Sequence, residues 1–211
     1  MSKYYSYKDY VIGITNQGKA FIVDKEDYLL VKYFAWYIDR DGYVLSNIKG
    51  GTIKLHHFVM GYTIDNDKDI VVDHINHVPQ DNRKSNLRVC NEFQNAMNHK
   101  PSSRNKTGYS GVRRTANGKF RASITANGKY IYLGQFDNLE DAVRARKNAE
   151  EKYHGEFAFK GVGTKVKKFL EEVERKYKDN YMQPSSTELY LEYLLDGERP
   201  WEKVRNFNRR H

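Results

Sequence analysis

The sequence predicts an α+β protein in which short antiparallel strands alternate with helices. Apolar segments at 10–23 and 36–45 are interrupted by Gly-containing turns, Asn-Gly pairs stand at 117–118 and 127–128, and residues 164–177 carry apolar side chains at helical spacing. Asn-Gly is the strongest short-range signal for a β-hairpin, because both turn residues take a positive φ. We expect N-terminal hairpins, a two-strand-and-helix core, a three-stranded antiparallel sheet with one helix, and C-terminal helices.

Positive charge is concentrated in one segment of the 211-residue chain, whose formal net charge is +9. Residues 1–72 carry nine basic and nine acidic side chains, whereas residues 104–133 carry seven basic side chains and no acidic one. A segment of one sign predicts a polyanionic partner, and nucleic acid is the first candidate. The alternative is a solvated basic face.

The cysteine content and the length of the apolar runs exclude several classes of protein. The single cysteine, Cys90, excludes an internal disulfide and any zinc site built from several cysteines. The longest apolar runs are far shorter than a membrane span, and the N-terminal residues lack a signal-peptide core. We therefore expect a cytoplasmic protein with no membrane partner.

The N-terminal part of the chain predicts two hairpins and a helix. Residues 10–23 form the first hairpin, and Asp24 is placed to cap a helix from Lys25 to Ala35. The second hairpin spans 36–45. Residues 52–60 predict a strand that runs into a short helix.

The middle of the chain predicts two strands followed by a helix. Apolar residues 70–72 predict a short buried strand, and residues 87–90 predict a second one. A helix follows over 91–99, since Asn91 is a suitable N-cap and Pro101 stops the helix.

Polar side chains converge on these elements. Asp73 and His74 follow the first strand, while Asn95 and His99 lie four residues apart and therefore share one helical face. A carboxylate, two imidazoles and an amide suit one hard divalent metal ion beside one general base.

This stretch resembles the HNH nucleases, and more narrowly the branch found in phage and intron homing endonucleases. That pattern opens with Asp-His and has an Asn thirteen and another twenty-two residues after the Asp, here Asn86 and Asn95. The resemblance implies a ββα-metal fold with one Mg²⁺ or Mn²⁺ ion held by Asp73 and Asn95, His74 as general base, and Asn86 holding the His74 ring. His99 is a further metal ligand, a phosphate contact or an exposed helix-end residue.

The two Asn-Gly turns predict a three-stranded antiparallel meander over 109–134. Along its middle strand Arg121, Ser123 and Thr125 face one side of the sheet, because side chains alternate. A helix from Leu139 to about Tyr153 follows and covers the other side. One sheet face is therefore expected to remain free and basic.

Residues 107–158 resemble the AP2 DNA-binding domain of plant transcription factors and phage nucleases. The resemblance rests on Ser110-Gly111-Val112-Arg113, Gly118-Lys119-Phe120, the segment 132–136 and the Ala-rich helix. It implies a sheet docked in the major groove of double-stranded DNA. The candidate DNA contacts are Arg113, Arg114, Lys119, Arg121, Lys129, Tyr130 and Tyr132. Departures from the plant pattern mean that the plant sequence preference is not implied; they are Ser110, Thr115, Asn117 and Thr125.

The predicted organisation has four parts. Residues 1–100 form an HNH nuclease domain with an N-terminal β-rich extension, 101–108 a polar linker, 109–160 the AP2-like DNA-binding domain, and 161–211 a helical C-terminal extension. The extension is interpreted as an accessory that packs on the protein or touches the DNA backbone.

The function predicted from these parts is a site-specific, metal-dependent DNA endonuclease that works as a monomer and nicks one strand or cleaves both. Two alternatives stay open at this point. One is a DNA-binding regulator that keeps an inactive nuclease fold, and the other is an RNA-directed or broad-specificity nuclease. Base-reading side chains on a sheet favour duplex DNA.

Overall fold

The computed structural model describes residues 2–48, 51–62 and 71–179. They form a mixed α+β fold of small antiparallel sheets and helices, which confirms the predicted class. The predicted helix at 186–195 and the basic tail at 197–211 lie outside the described residues.

The described residues pack into two compact units. The first combines the residues before 63 with Asn76–Arg88 and the segment that begins at Gly163. The second combines residues 71–75 with Val89–Val162. The two units describe how the folded chain packs and do not show which segments fold independently. The predicted domain limits therefore stay a prediction.

A three-stranded antiparallel sheet begins the first unit. Strands β1 (Lys3–Tyr7), β2 (Tyr10–Ile14) and β3 (Ala20–Asp24) are paired in that order, and β2 and β3 are the predicted hairpin. The sequence did not predict β1. Gly13 lies opposite Phe21, and a Cβ at Gly13 would lie 2.2 Å from the Phe21 ring, so the pairing requires glycine there.

Helix α1 (Lys25–Val31) is shorter than the predicted helix, which extended to Ala35. The Trp36 indole donates a 2.8 Å hydrogen bond to the carbonyl of the last α1 residue, and this tertiary contact supports the early end. Asp24 stands at the N-cap position without capping the helix. Its carboxylate instead accepts a 2.7 Å bond from the Lys84 amide, which corrects the predicted cap.

The second predicted hairpin and the strand-to-helix segment are both confirmed. Strands β4 (Trp36–Ile38), β5 (Val44–Ile48) and β6 (Gly51–Lys54) form another antiparallel sheet in that order. Helix α2 (Leu55–Val59) follows β6 directly.

Strands β7 (Val71–His74) and β8 (Leu87–Cys90) form a two-stranded sheet, and helix α3 (Glu92–Met97) follows. Ile70, predicted to begin the first of these strands, lies outside the described residues. Asn91 caps α3 as predicted: its side chain accepts from the Gln94 amide at 2.8 Å, and the Gln94 side chain accepts from the Asn91 amide at 2.9 Å.

The three-stranded meander of the second unit is confirmed. Strands β9 (Val112–Arg114), β10 (Phe120–Ala126) and β11 (Lys129–Phe136) are antiparallel, with β10 in the centre. Helix α4 (Leu139–Tyr153) has the predicted limits and is capped by Asn138. The core between this sheet and α4 contains Val112, Ala122 and Ala142, with Phe120, Leu133, Phe136, Leu139 and Val143 around them.

Helix α5 (Thr164–Lys178) packs on the first sheet. Its buried Leu170 and Val173 join a core cluster with Tyr5, Ile12, Ile14, Ala20, Ile22 and Val78. Glu174 accepts hydrogen bonds from the Ala20 amide at 3.0 Å and from the Lys19 ammonium at 3.1 Å. The described helix of the C-terminal extension therefore packs on the protein, which is one of the two roles predicted for the extension.

Candidate active site

Asp73 and His74 end strand β7 in the second unit and are both buried, with 8% and 6% of their surface exposed. The strand places them next to each other at its C-terminal end, whereas the sequence predicted that they follow the strand. A buried carboxylate is stable only when hydrogen-bond donors or cations surround it.

Asn98 supplies donors to Asp73. Its side-chain nitrogen lies 3.1 Å from Oδ1 and 2.9 Å from Oδ2 of Asp73, and 3.3 Å from the His74 carbonyl oxygen. An ionised carboxylate can only accept, so the amide nitrogen of Asn98 faces Asp73 and the amide oxygen faces away. That oxygen is buried and has no hydrogen-bond partner among the described residues.

Asn98 was not among the predicted site residues. Helix α3 ends at Met97 instead of His99, and Asn98 occupies its C-cap with 1% of its surface exposed. A signal was present, since Asn98 follows Asn95 by three residues and positions three apart are neighbours on a helix surface.

The earlier helix end also changes the surroundings of His99. His99 lies beyond the C-cap, is exposed, and has Nδ1 3.0 Å from the Ala96 carbonyl oxygen. It therefore does not share a helical face with Asn95, which is a correction. Asn95 is half-buried on α3. Metal ligation by either residue stays a prediction.

Asn86 belongs to the first unit, where it braces the loop before β8. Its Oδ1 accepts a 3.1 Å hydrogen bond from the Asn76 amide, and its Nδ2 donates a 2.8 Å bond to the Asp81 carbonyl. The loop is held to β3 as well, because the Ile22 amide and carbonyl each bond to its backbone at 2.9 Å. The role of Asn86 toward His74 stays a prediction.

Asp81 anchors the same loop from inside. It is fully buried and accepts a bidentate pair from Arg83 at 2.7 and 2.8 Å, together with a 2.8 Å bond from the Asn76 amide nitrogen. Bidentate Arg–carboxylate pairs are among the stronger hydrogen-bonded contacts in proteins. The hydrogen bond and charge of Asp81 raise the pKa of Arg83. The carboxylate of Asp81 is thus occupied by structural partners.

The donor set at Asp73 fits a hard divalent cation. The part of the chain that the structure describes holds no cluster of three His, Cys, Asp or Glu side chains suited to a metal. A site here would therefore combine Asp73 with fewer than two further side chains of these types, and with amide oxygens, water and phosphate. Mg²⁺ and Mn²⁺ prefer oxygen ligands of this kind. The Oδ1 of Asn98 is not one of them, because the amide nitrogen of Asn98 is the atom that faces Asp73.

The free face of the β9–β11 sheet collects four of the predicted DNA contacts. Cross-strand partners share a face, which places Arg113 with Arg121 and Tyr130 with Thr125. Arg121 donates to the Tyr130 hydroxyl and lies 5.4 Å from the centre of the Tyr132 ring. Tyr130 and Tyr132 are 57% and 54% exposed, so this face presents cations and aromatic rings to solvent.

Neighbouring side chains also change the pKa of the Tyr130 phenol. A hydrogen bond with Ser123 is the largest influence, and the hydrogen bond and charge of Arg121 act in the same direction. Together they lower the pKa of the Tyr130 phenol.

The other three predicted contacts are placed differently. Arg114 pairs with Phe120, and Lys129 pairs with Ala126, so both project toward the opposite face at its margins. Lys119 lies in the first turn and forms a 2.7 Å ion pair with exposed Asp137. The structure thus groups four of the seven residues on one face.

Comparison with known proteins gives the family. A family model described as HNH endonuclease matches residues 59–97, which include Asp73, His74, Asn86 and Asn95. An uncharacterized HNH endonuclease of Acanthamoeba polyphaga mimivirus is 31% identical over 144 residues, covering 67% of this chain and 74% of that protein. No solved structure matches the chain.

The two-strand-and-helix core with its buried Asp-His pair, taken with these matches, defines the class: a nuclease that hydrolyses DNA. The chain belongs to the HNH endonuclease family.

Proposed function

We propose that this nuclease is a site-specific, metal-dependent DNA endonuclease of the homing type. The observation that carries the proposal is the buried carboxylate of Asp73, held by Asn98 and adjacent to His74 at the end of β7. A buried acid beside an imidazole is costly to maintain for structure alone and suits phosphodiester hydrolysis.

The proposed chemistry assigns one task to each side chain. His74 accepts the proton of the attacking water, because a neutral imidazole titrates near working pH. Asp73 and Asn95 would hold one Mg²⁺ or Mn²⁺ ion. Such an ion, when bound, would supply positive charge that offsets the charge developing on the phosphate during hydrolysis. The resemblance to HNH nucleases assigns Asn86 to the second ring nitrogen of His74.

Two roles of His99 are compatible with its hydrogen bond. Its ring is exposed, and its Nδ1–H donates to the Ala96 carbonyl oxygen at 3.0 Å, so the lone pair of the neutral ring lies at Nε2. That nitrogen can bind the metal ion, or it can donate to a phosphate once the ring is protonated. We therefore propose Asp73 and Asn95 as metal ligands, with His99 as a third ligand or as a contact to the DNA backbone.

The reading of sequence is assigned to the β9–β11 sheet, in the manner of an AP2-like domain spanning residues 109–160. The free face carries Arg113 and Arg121 for guanine edges and the rings of Tyr130 and Tyr132 for packing against DNA. We propose that the protein acts as a monomer on double-stranded DNA in the cytoplasm of its host cell.

Plasmid cleavage tests the catalytic assignment. Supercoiled plasmid carrying candidate sites is incubated with the protein in Mg²⁺ or in chelator, and nicked and linear products are separated on a gel. We expect cleavage by the wild type in Mg²⁺ alone and none by His74→Ala. His74→Ala should still bind DNA, which shows that the fold is intact. Cleavage that survives His74→Ala or chelator would contradict the mechanism.

A pair of neighbouring arginines tests which sheet face reads DNA. Sequences bound by the wild type are first selected from a random duplex library. Arg113→Ala should then weaken binding to the selected sequence by about 1–3 kcal/mol, as expected for a base contact. Arg114→Ala removes the same charge from the opposite face and should weaken it less. Equal losses for both variants, or a larger loss for Arg114→Ala, would show that the assigned face is wrong.

A further inference from the structure

A cavity of about 670 Å³ lies within the second unit, between helix α3 and the β9–β11 sheet. One wall is formed by Phe93, Ala96 and Met97 of α3, and the opposite wall by Arg121 and Ser123 of β10. The volume is in the range of ligand sites in proteins. Of the candidate metal ligands, His99 lines the cavity, whereas Asp73 and Asn95 do not.

The cavity opens along an unpaired edge of β10. Strand β9 pairs with β10 only at 120–122, so on that edge the carbonyls of Ser123 and Thr125 have no partner in β9. Arg146 of α4 donates to the Ser123 carbonyl at 3.2 Å, and His154 Nε2 donates to the Thr125 carbonyl at 2.9 Å. These α4 side chains therefore protect the edge and form the floor of the cavity.

The lining is cationic. It includes Arg146 together with Arg113 and Arg121, and no acidic residue is among the described residues that line it. Because Arg113 and Arg121 also belong to the sheet face that is proposed to read bases, the cavity is continuous with that face. Arg146 is 7% exposed and is paired with Glu150 at 2.9 Å, but its Nε has no hydrogen-bond partner among the described residues. A buried guanidinium with an unused donor at the floor of a basic cavity points to an anionic ligand.

The wall formed by α3 is apolar, whereas the opposite wall is charged. Phe93 is 63% exposed. With Ala96 and Met97 it presents an apolar surface opposite the arginines. A sugar–phosphate chain matches both walls, since its phosphates are anionic and its deoxyriboses offer apolar C–H faces.

We propose that this cavity binds the sugar–phosphate backbone of the DNA between the sequence that is read and the bond that is cut. The inference rests on the proposed function, because it takes duplex DNA as the substrate. The contact is independent of sequence, as backbone contacts are. It adds affinity and joins the sheet that reads DNA to the helix that carries Asn95.

The connection between the two walls supports a fixed arrangement. Thr107, within the predicted linker, donates to the Val112 carbonyl at 2.9 Å, and Asn105 donates to the Tyr109 carbonyl at 2.6 Å. The linker is therefore bonded to the start of the sheet, and both walls belong to one compact unit. The cut is expected at a constant distance from the recognised sequence.

Substitution of Ala96 tests the inference. Ala96 is exposed on α3 and lines the cavity, so a longer side chain there reaches the ligand without removing a packing contact. Binding to a random-sequence duplex is measured by fluorescence anisotropy in chelator between ~50 and ~200 mM KCl, where phosphate contacts give a salt slope of about 0.9 each. Chelator keeps the measurement independent of cleavage.

The expected order of affinities follows the charge at position 96. Ala96→Glu should weaken binding about tenfold at low salt and lower the salt slope by about one, as for the loss of one phosphate contact. Ala96→Gln, of the same size, should bind like the wild type, and Ala96→Lys should bind more tightly. Asn148→Glu adds the same charge on α4 outside the lining and should have a small effect.

Each outcome has a definite meaning. Equal affinities for Ala96→Glu and Asn148→Glu, or equal losses for all three Ala96 variants, would overturn the backbone site while leaving the proposed function intact. A wild-type protein that binds no duplex would overturn both. The expected order of affinities together with an absence of cleavage in Mg²⁺ would support the backbone site and contradict the proposed function.

Discussion

Replacement of Asn98 is expected to damage both stability and cleavage, because one amide group holds the Asp73 carboxylate. Asn98→Ala removes donors at 2.9 and 3.1 Å from the two carboxylate oxygens. A hydrogen bond to a charged group contributes about 1.5–3 kcal/mol. One amide nitrogen makes both contacts, so we count them as about one such bond and expect the free energy of unfolding to fall by about 2–3 kcal/mol.

Asn98→Asp keeps the shape of the side chain but replaces the donating amide group with a carboxylate, which accepts. It places a second carboxylate about 3 Å from Asp73, where Coulomb repulsion at an effective dielectric of ~20 amounts to about 5 kcal/mol. Uptake of a proton by one of the two acids reduces that cost. The loss should still exceed that of Asn98→Ala at neutral pH, and it should shrink in acid.

A swap of the two side chains separates stability from catalysis. The double variant Asp73→Asn with Asn98→Asp restores one amide donor facing one carboxylate, so most of the lost stability should return. Cleavage should not return, since the carboxylate no longer stands at position 73 beside His74. A coupling free energy of about 2–3 kcal/mol is expected between the two positions.

The measurements are urea unfolding in chelator and plasmid nicking in Mg²⁺. Unfolding in chelator reports on the Asn98–Asp73 contact without any contribution from bound metal. If Asn98→Ala and Asn98→Asp both unfold within ~0.5 kcal/mol of the wild type, the contact makes no stabilising contribution and the reasoning is refuted. Recovery of cleavage in the swapped variant would refute the role given to Asp73.

Two further predictions concern the stability of the chain. Gly111→Ala should destabilise the second unit by about 2–4 kcal/mol in urea unfolding, because Gly111 has φ +71° and a new Cβ would lie 2.2 Å from the Ser123 carbonyl oxygen. Gly108→Ala is the matched control. Gly108 has φ +76°, and a new Cβ there would meet nothing within 4 Å, so the substitution should lower the free energy of unfolding by only about 1 kcal/mol. Equal losses of stability for the two variants would exclude the clash as the cause. Burial and the charge of Lys54 lower the pKa of His57. The folded state therefore binds fewer protons than the unfolded state, and the free energy of unfolding should fall as pH falls through the ordinary imidazole range. Thermal unfolding of His57→Gln across that range should show a smaller acid loss, and an unchanged pH dependence would contradict the assignment.

Elements whose signals are local were predicted well. Asn-Gly pairs at 117–118 and 127–128 stand just before β10 and β11. At the second pair both residues take a positive φ as predicted, whereas at the first pair only Gly118 does, which corrects the turn expected at 117–118. Helix α4 begins after Asn138, whose side chain accepts from the Asp141 amide at 2.8 Å. Each of these signals lies within four residues of the boundary that it determines.

Element ends that depend on distant partners were not predicted. Helix α1 ends where the Trp36 indole binds its last carbonyl, and Asp24 bonds to Lys84 instead of capping that helix. Helix α3 ends two residues early, and this places Asn98 rather than His99 at a buried position. Short helices gain little from propensity alone, so tertiary contacts decide their limits.

The sequence by itself determined the type of chemistry, since the Asp-His pair and the spaced asparagines are written in the order of residues. It also determined the basic sheet, because strand alternation and turn chemistry are local properties. The tertiary structure alone decided that Asn98 holds Asp73 across twenty-five residues, and that α3 and the edge of β10 enclose a cationic cavity. Such contacts depend on how elements pack, and no local pattern of residues records the distance between them.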